Sequence, residues 1–109
     1  MPDFDLLAHA TRFRFLLYPE GHEYWDTALM EVTVEWRGDD RWAVLSRGFC
    51  FDAVGTNGYE SIPSERKDEF LARFRFTRDE AVRIAREVVV PKLRAIWESR
   101  FERRSSDAH

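Results

Sequence analysis

One stretch, Thr77 to Arg104 (TRDEAVRIAREVVVPKLRAIWESRFERR), is the longest periodic segment of the chain and is apolar on two sides at once. Thr77 with Glu80 three residues on forms a capping-box signature, and Asp79 and Glu80 suit the positive end of a helix dipole as Arg103 and Arg104 suit the negative end. At about 100° per residue, Ala81, Ile84, Ala85, Val88, Val89, Ala95 and Ile96 share a wide sector, with Val82 and Leu93 at its edge. That sector is the expected core face. The opposite sector gathers Arg83, Arg86, Val90, Arg94, Trp97, Phe101 and Arg104, an apolar stripe framed by arginines where a surface helix is normally polar. These seven residues are the candidate partner-binding face. Pro91 complicates both assignments, because it lacks a backbone donor and its ring clashes with the carbonyl of Glu87. A kink there would break the common phase and fold Trp97 and Phe101 into the same core.

Ahead of this helix the periodicity changes to two. Residues 28–37 (ALMEVTVEWR) alternate strictly, with Met30, Val32, Val34 and Trp36 on one face and Glu31, Thr33, Glu35 and Arg37 on the other. Residues 11–18 alternate at first, with Phe13, Phe15 and Leu17 opposed to Arg12, Arg14 and Leu16. Residues 3–9 are too short to assign, and Pro19 to His22 is turn chemistry. Gly38-Asp39-Asp40 reads as a short hairpin connection, and 41–51 as one returning strand in which Gly48 is a candidate bulge. Arg12, Arg14, Arg37 or Arg47 are expected to pair across strands with Glu31 and Glu35.

Gly55-Thr56-Asn57-Gly58 carries the strongest turn signal, with Tyr59 to Ile62 as a brief fourth strand. Pro63 ends it, and Ser64 caps a short helix, SERKDEFLARF, that offers Phe70, Leu71 and Phe74 to the core. Strands followed by helices predict an α+β fold: an antiparallel three- or four-stranded meander with the short helix and the long C-terminal helix on one face. A length of 109 residues supports one domain, expected over 1–104, with 105–109 as a frayed tail.

Composition narrows the function. The net charge of −3 argues against a dedicated polyanion binder, yet its distribution is uneven. Residues 1–76 hold 9 Lys and Arg against 14 Asp and Glu, whereas 77–104 hold 8 against 5. Cys50 is the only cysteine, flanked by Phe49 and Phe51, and reads as a small buried hydrophobe in a reducing cytoplasm. The N-terminal MPDFDLLAHA has acidic flanks and no basic segment, so no signal peptide is expected, and no stretch has the apolar length of a membrane span. His9, His22 and His109 are read as solvent histidines; His22-Glu23 beside Asp26 is the one conceivable acid/base pair. No Gly-rich phosphate loop, metal spacing or nucleophile elbow is present, so neither catalysis nor a cofactor is expected.

The order Val34-Glu35-Trp36-Arg37-Gly38, Arg41-Trp42-Ala43-Val44, Asn57-Gly58, Tyr59-Glu60-Ser61-Ile62-Pro63-Ser64, Arg66, Asp68, Phe70, Arg75-Phe76 and Glu80-Ala81 resembles small uncharacterised proteins encoded by phages of actinobacteria, over roughly residues 28–86. That resemblance implies an accessory protein acting in the host cytoplasm, with no activity to carry over, and it does not extend to Val88–Arg104. Together these readings lead to a non-enzymatic interaction module that self-associates as a homodimer or binds a host protein through the last helix. The alternative is a nucleic-acid-associated accessory protein using the arginines and aromatics of the same helix.

Overall fold

The computed structural model describes residues 9–25, 31–59 and 68–107, the side chains of 101–107 excepted. The fold is α+β. Strands β1 (Arg12–Leu16), β2 (Glu31–Trp36), β3 (Trp42–Ser46), β4 (Phe49–Phe51) and β5 (Asn57–Tyr59) form one antiparallel sheet in sequential order. Helix α1 (Asp68–Phe74) follows, then α2 (Arg78–Ile84), a π turn (Ala85–Val89) and α3 (Val90–Asp107), which run on from one another as a single long helix.

Alternation sets the two sheet faces. Register places Phe13 beside Val34 and Val34 beside Val44, and this face packs against the long helix through Ala81, Ile84, Ala85, Val89, Val90 and Leu93. The other face carries the expected ion pairs: Arg14 with Glu31, Arg12 with Glu35 at 3.9 Å, and Arg37 with Glu35 at 3.4 Å. Thr77 caps α2 by accepting from the Glu80 N–H at 3.3 Å.

Three local expectations are corrected. Residues 41–51 form two strands: Arg47 (φ 51°) and Gly48 (φ 84°) turn the chain, so Ser46 pairs with Phe49 and Gly48 belongs to a two-residue hairpin rather than a bulge. Asn57-Gly58 lies within β5, and the turn before it is organised by Asp52, whose Oδ1 accepts from the N–H groups of Val54 (3.1 Å) and Thr56 (2.8 Å). The last helix does not stop at Arg104 but continues to Asp107. The expected Ser64 cap, the strand residues 28–30 and 60–62 and the segment 3–8 lie outside the described residues.

The helices also divide between the faces. Gly58 sits opposite Cys50, and a Cβ added to it would meet Phe74 Cζ at 3.0 Å, so α1 covers the face opposite the long helix. Arg73 of α1 reaches Asp52 Oδ2 there at 3.1 Å. Chain passage between faces occurs where β4 is too short to flank β3: Phe76 pairs with Trp42, each N–H reaching the other's carbonyl at 3.0 and 2.8 Å. Cys50 is fully buried on the α1 side, its Sγ donating to the Gly58 carbonyl at 3.3 Å.

Asp52 joins three parts of the fold. Beyond its contacts to the turn and to Arg73, the same loop touches the long helix, where Gly55 (φ 84°) lies against Val88 and its carbonyl accepts from Lys92 Nζ at 2.6 Å. Burial works to raise the Asp52 carboxyl, but the Thr56 N–H, the Arg73 guanidinium and the Val54 N–H outweigh it and hold the group below its ordinary value. A carboxyl depressed in the folded state stabilises at pH above its unfolded value and ceases to do so as pH falls through the folded one. Asp52→Asn is therefore expected to lower stability at pH 7 by about 1–3 kcal/mol. That deficit should shrink once the pH falls below about 4. Denaturant melts at both pH values check this, and a deficit independent of pH would sink it.

Candidate interaction surface

Of the seven residues expected to form one partner-binding face, the five whose side chains are described, Arg83, Arg86, Val90, Arg94 and Trp97, do not lie together. At Ala85–Val89 the helix widens, and the Val90 N–H reaches back five residues to the Ala85 carbonyl. One extra residue in that turn retards everything after it by about one position, or roughly 100°. Val90, Leu93 and Trp97, spaced i, i+3 and i+7, are thereby rotated onto the core, while Ala95 and Ile96, expected inside, are exposed. Val90 is buried at 6% exposure. Trp97 packs partly buried against the same core, its Nε1–H enclosed and with no acceptor among the described residues.

The arginines separate as well. Arg83 lies on the solvent side between Glu80 (3.6 Å) and Glu87 (3.7 Å), pairs of the i, i+3 and i, i+4 kind that contribute only a few tenths of a kcal/mol. Arg86 is exposed beside β1. Arg94 is committed to the fold: its Nε donates to the Leu17 carbonyl, and its guanidinium lies 5.4 Å from the Tyr18 ring centre. Phe101 and Arg104 are on the helical backbone of α3, their side chains outside the described residues.

Tyr18 anchors α3 to the segment after β1. Its hydroxyl donates to Glu98 Oε1 at 2.8 Å, the His22 ring stacks on it at 4.5 Å, and Tyr24 meets it edge-on at 5.4 Å. His22 Nδ1 accepts from the Tyr24 N–H at 3.1 Å, so the residue considered for acid/base work is held by its own turn. Burial first, then the hydrogen bond to Glu98 and its negative charge, push the Tyr18 phenol up from 10.0 to about 12, against an opposing pull from Arg94. A phenol so raised is a poorer nucleophile or base at neutral pH, and the cluster reads as a structural buttress. Among the described residues no three of His, Cys, Asp and Glu converge as metal ligands would.

What remains open among the described residues lies at the other flank of the helix. Arg78, Val82 and Arg86 recur every four residues and so stand in a row. With Asp79 they form one wall of a groove of about 400 Å³ whose other wall is Phe13 and Phe15 of β1. Arg78 makes an ion pair with Asp79 at 3.6 Å. β1 is the first strand of the sheet, so no described strand pairs with its outer side. Arg12-Phe13-Arg14-Phe15 carried the signal in the sequence: arginines alternating with aromatics mark an edge strand with one face on a core. Other aromatics at the surface stand apart from this groove; Tyr59 leans on Phe49 at 5.0 Å, and Trp36 donates to the Asp39 carbonyl at 2.6 Å.

Comparisons with family models, curated proteins and solved structures find no match to this chain.

Two measurements check this placement. Trp97→Ala should lower stability by about 2–4 kcal/mol, as expected for truncating a large side chain at the core, while solution mass stays that of the parent. Loss of association without loss of stability would return Trp97 to a partner-binding role. For Tyr18, the folded state holds its proton more tightly than the unfolded state, so its contribution is complete below pH 10 and is lost as pH rises toward 12. A Tyr18→Phe variant should lack the late-titrating phenol seen in the ultraviolet and should unfold less steeply with alkali; an unchanged titration curve would refute the buttress.

Proposed function

We propose that the chain is a non-enzymatic protein-interaction module that engages its partner through the flank formed by β1 and α2. The observation that carries this reading is the groove between Phe13, Phe15 and Val82, an apolar floor with Arg78 and Arg86 on its wall. Interfaces place apolar and aromatic groups at the centre and arginine around them, which is the arrangement found there. Val90 and Trp97 belong to the chain's own core, so the interaction surface moves from the second helix stripe to its neighbour. Among the described residues, Arg86 is the one member of the sequence-derived face that lines the groove.

The resemblance to small actinobacterial phage proteins supports a host protein as the partner and the host cytoplasm as the place of action. A net charge of −3 weighs against nucleic acid, because the 20 acidic residues outnumber the 17 basic ones and oppose approach to a polyanion.

A photo-crosslinking side chain at position 82 tests this. In actinobacterial extract it should give a defined protein adduct that survives nuclease and is competed by unlabelled chain, while the same group at position 96 gives none. An absence of adduct at 82 would reject the module as placed here. An adduct that nuclease abolishes would favour the nucleic-acid reading.

A further inference from the structure

The backbone of β1 and the side chains around it together specify a class of ligand. Thr11 and Trp36 form a hydrogen-bonded pair, the Trp36 N–H reaching the Thr11 carbonyl at 2.9 Å. In an antiparallel ladder bonded and non-bonded pairs alternate, so Phe13 and Phe15 bond to β2, whereas Arg12, Arg14 and Leu16 direct their N–H and C=O groups outward. This is an edge of five residues able to receive another strand. The opposite edge, β5, has only three residues, and its central Gly58 lies under the Phe74 ring.

We infer that the outer edge of β1 binds an extended segment of another protein in which acidic and apolar residues alternate, added antiparallel as a further strand. Main-chain bonds to Arg12, Arg14 and Leu16 hold it, and successive side chains fall on opposite faces of the sheet. On the long-helix face they enter the groove over Phe13, Phe15 and Val82, which selects apolar groups. Arg12 and Arg14 lie on the other face; each already meets a carboxylate of β2, Glu35 and Glu31, but with side chains about 60% exposed they keep guanidinium donors turned to solvent, and these select carboxylates on an added strand. The same arginines discriminate against a second copy of β1, since antiparallel self-pairing centred on Arg14 would set like charges opposite one another. Edge arginines are a usual guard against indiscriminate strand pairing; here they pass only strands that bring negative charge. This inference rests on the proposal that the β1–α2 flank carries the partner and names the chemistry of that partner.

The probe is a fluorescein-labelled peptide alternating valine and glutamate over roughly six residues, with an alternating valine–lysine peptide as its counterpart. The full-length chain should bind the glutamate peptide and not the lysine one, with affinity falling as salt rises. Arg14→Pro removes an outward N–H, a substitution that edge strands tolerate, and should weaken binding by more than about tenfold. The double variant Arg12→Glu, Arg14→Glu leaves the strand edge in place and should exchange the preference for that of the lysine peptide. The inference is overturned if the glutamate peptide fails to bind, if both peptides bind equally, or if neither variant alters binding. It is also overturned if Arg14→Pro abolishes a dimer of the parent, which would make a second copy the occupant, or if the peptide binds only after Asp3 and Asp5 are changed to lysine, which would make the chain's own first residues the occupant. A crosslinked partner at position 82 that leaves the outward amides of Arg12 and Arg14 freely exchanging would keep the proposed function and defeat this inference alone.

Discussion

Pro91 has no proton to give to the carbonyl of Glu87, and its ring crowds that carbonyl, so a regular α-helix through this position carries a strain of about 3 kcal/mol or more. The long helix meets this with one wide turn immediately before the proline, closed by the Val90 N–H on the Ala85 carbonyl. The helix continues without breaking, and its rotational phase changes. Ala81, Ile84 and Ala85 face the sheet before the turn, and Val90, Leu93 and Trp97 continue that face after it. Without the extra residue, Ala95 and Ile96 would have occupied the inner side, and two large apolar groups, Val90 and Trp97, would have been left in water.

The new phase decides where other contacts are made. It brings Arg94 and Glu98 over the segment after β1, where they hold Tyr18, and that contact closes the end of the core at Leu17. At the turn itself, Val88 and Lys92 meet the loop at Gly55. That loop is ordered by Asp52, which is in turn held by Arg73 of α1 on the opposite face. A chain of short-range polar contacts thus links both helical layers through the sheet, though the two apolar interiors lie on different sides of it.

The surface follows from the same geometry. Turning Val90 and Trp97 inward removes the stripe that a straight helix would have displayed, and Arg94 goes with it. The row Arg78, Val82 and Arg86 lies at and ahead of the wide turn and is aimed at β1, where Phe13 and Phe15 are only partly covered. An edge strand beside an arginine-walled apolar groove is a different kind of surface from a helix stripe: it favours extended ligands, since half of what it offers is backbone hydrogen bonding.

Much of the local structure was legible in the residues themselves. The alternation of Val32 and Val34 with Thr33 and Glu35, the turn at Gly38, the Thr77 cap and the ion pairs of Glu31 and Glu35 each depend on groups a few positions apart or on neighbouring strands of one meander. In the sequence Gly48 is a candidate bulge because both a bulge and a tight turn use glycine at positive φ, and only strand pairing separates them. Asn57-Gly58 has the composition of a turn but is drawn into β5 by pairing with Phe51 and Cys50. By itself, then, the sequence determined an α+β chain with a meander and a long basic helix, because period and capping are properties of short segments. Which way that helix faces beyond Pro91, which side of the sheet α1 covers and which strand edges are unpaired among the described residues were decided by the tertiary structure alone. Each is settled by burial against residues distant in the chain: Pro91 already disfavours a regular helix locally, and the burial of Val90 and Trp97 selects the phase in which the helix resumes.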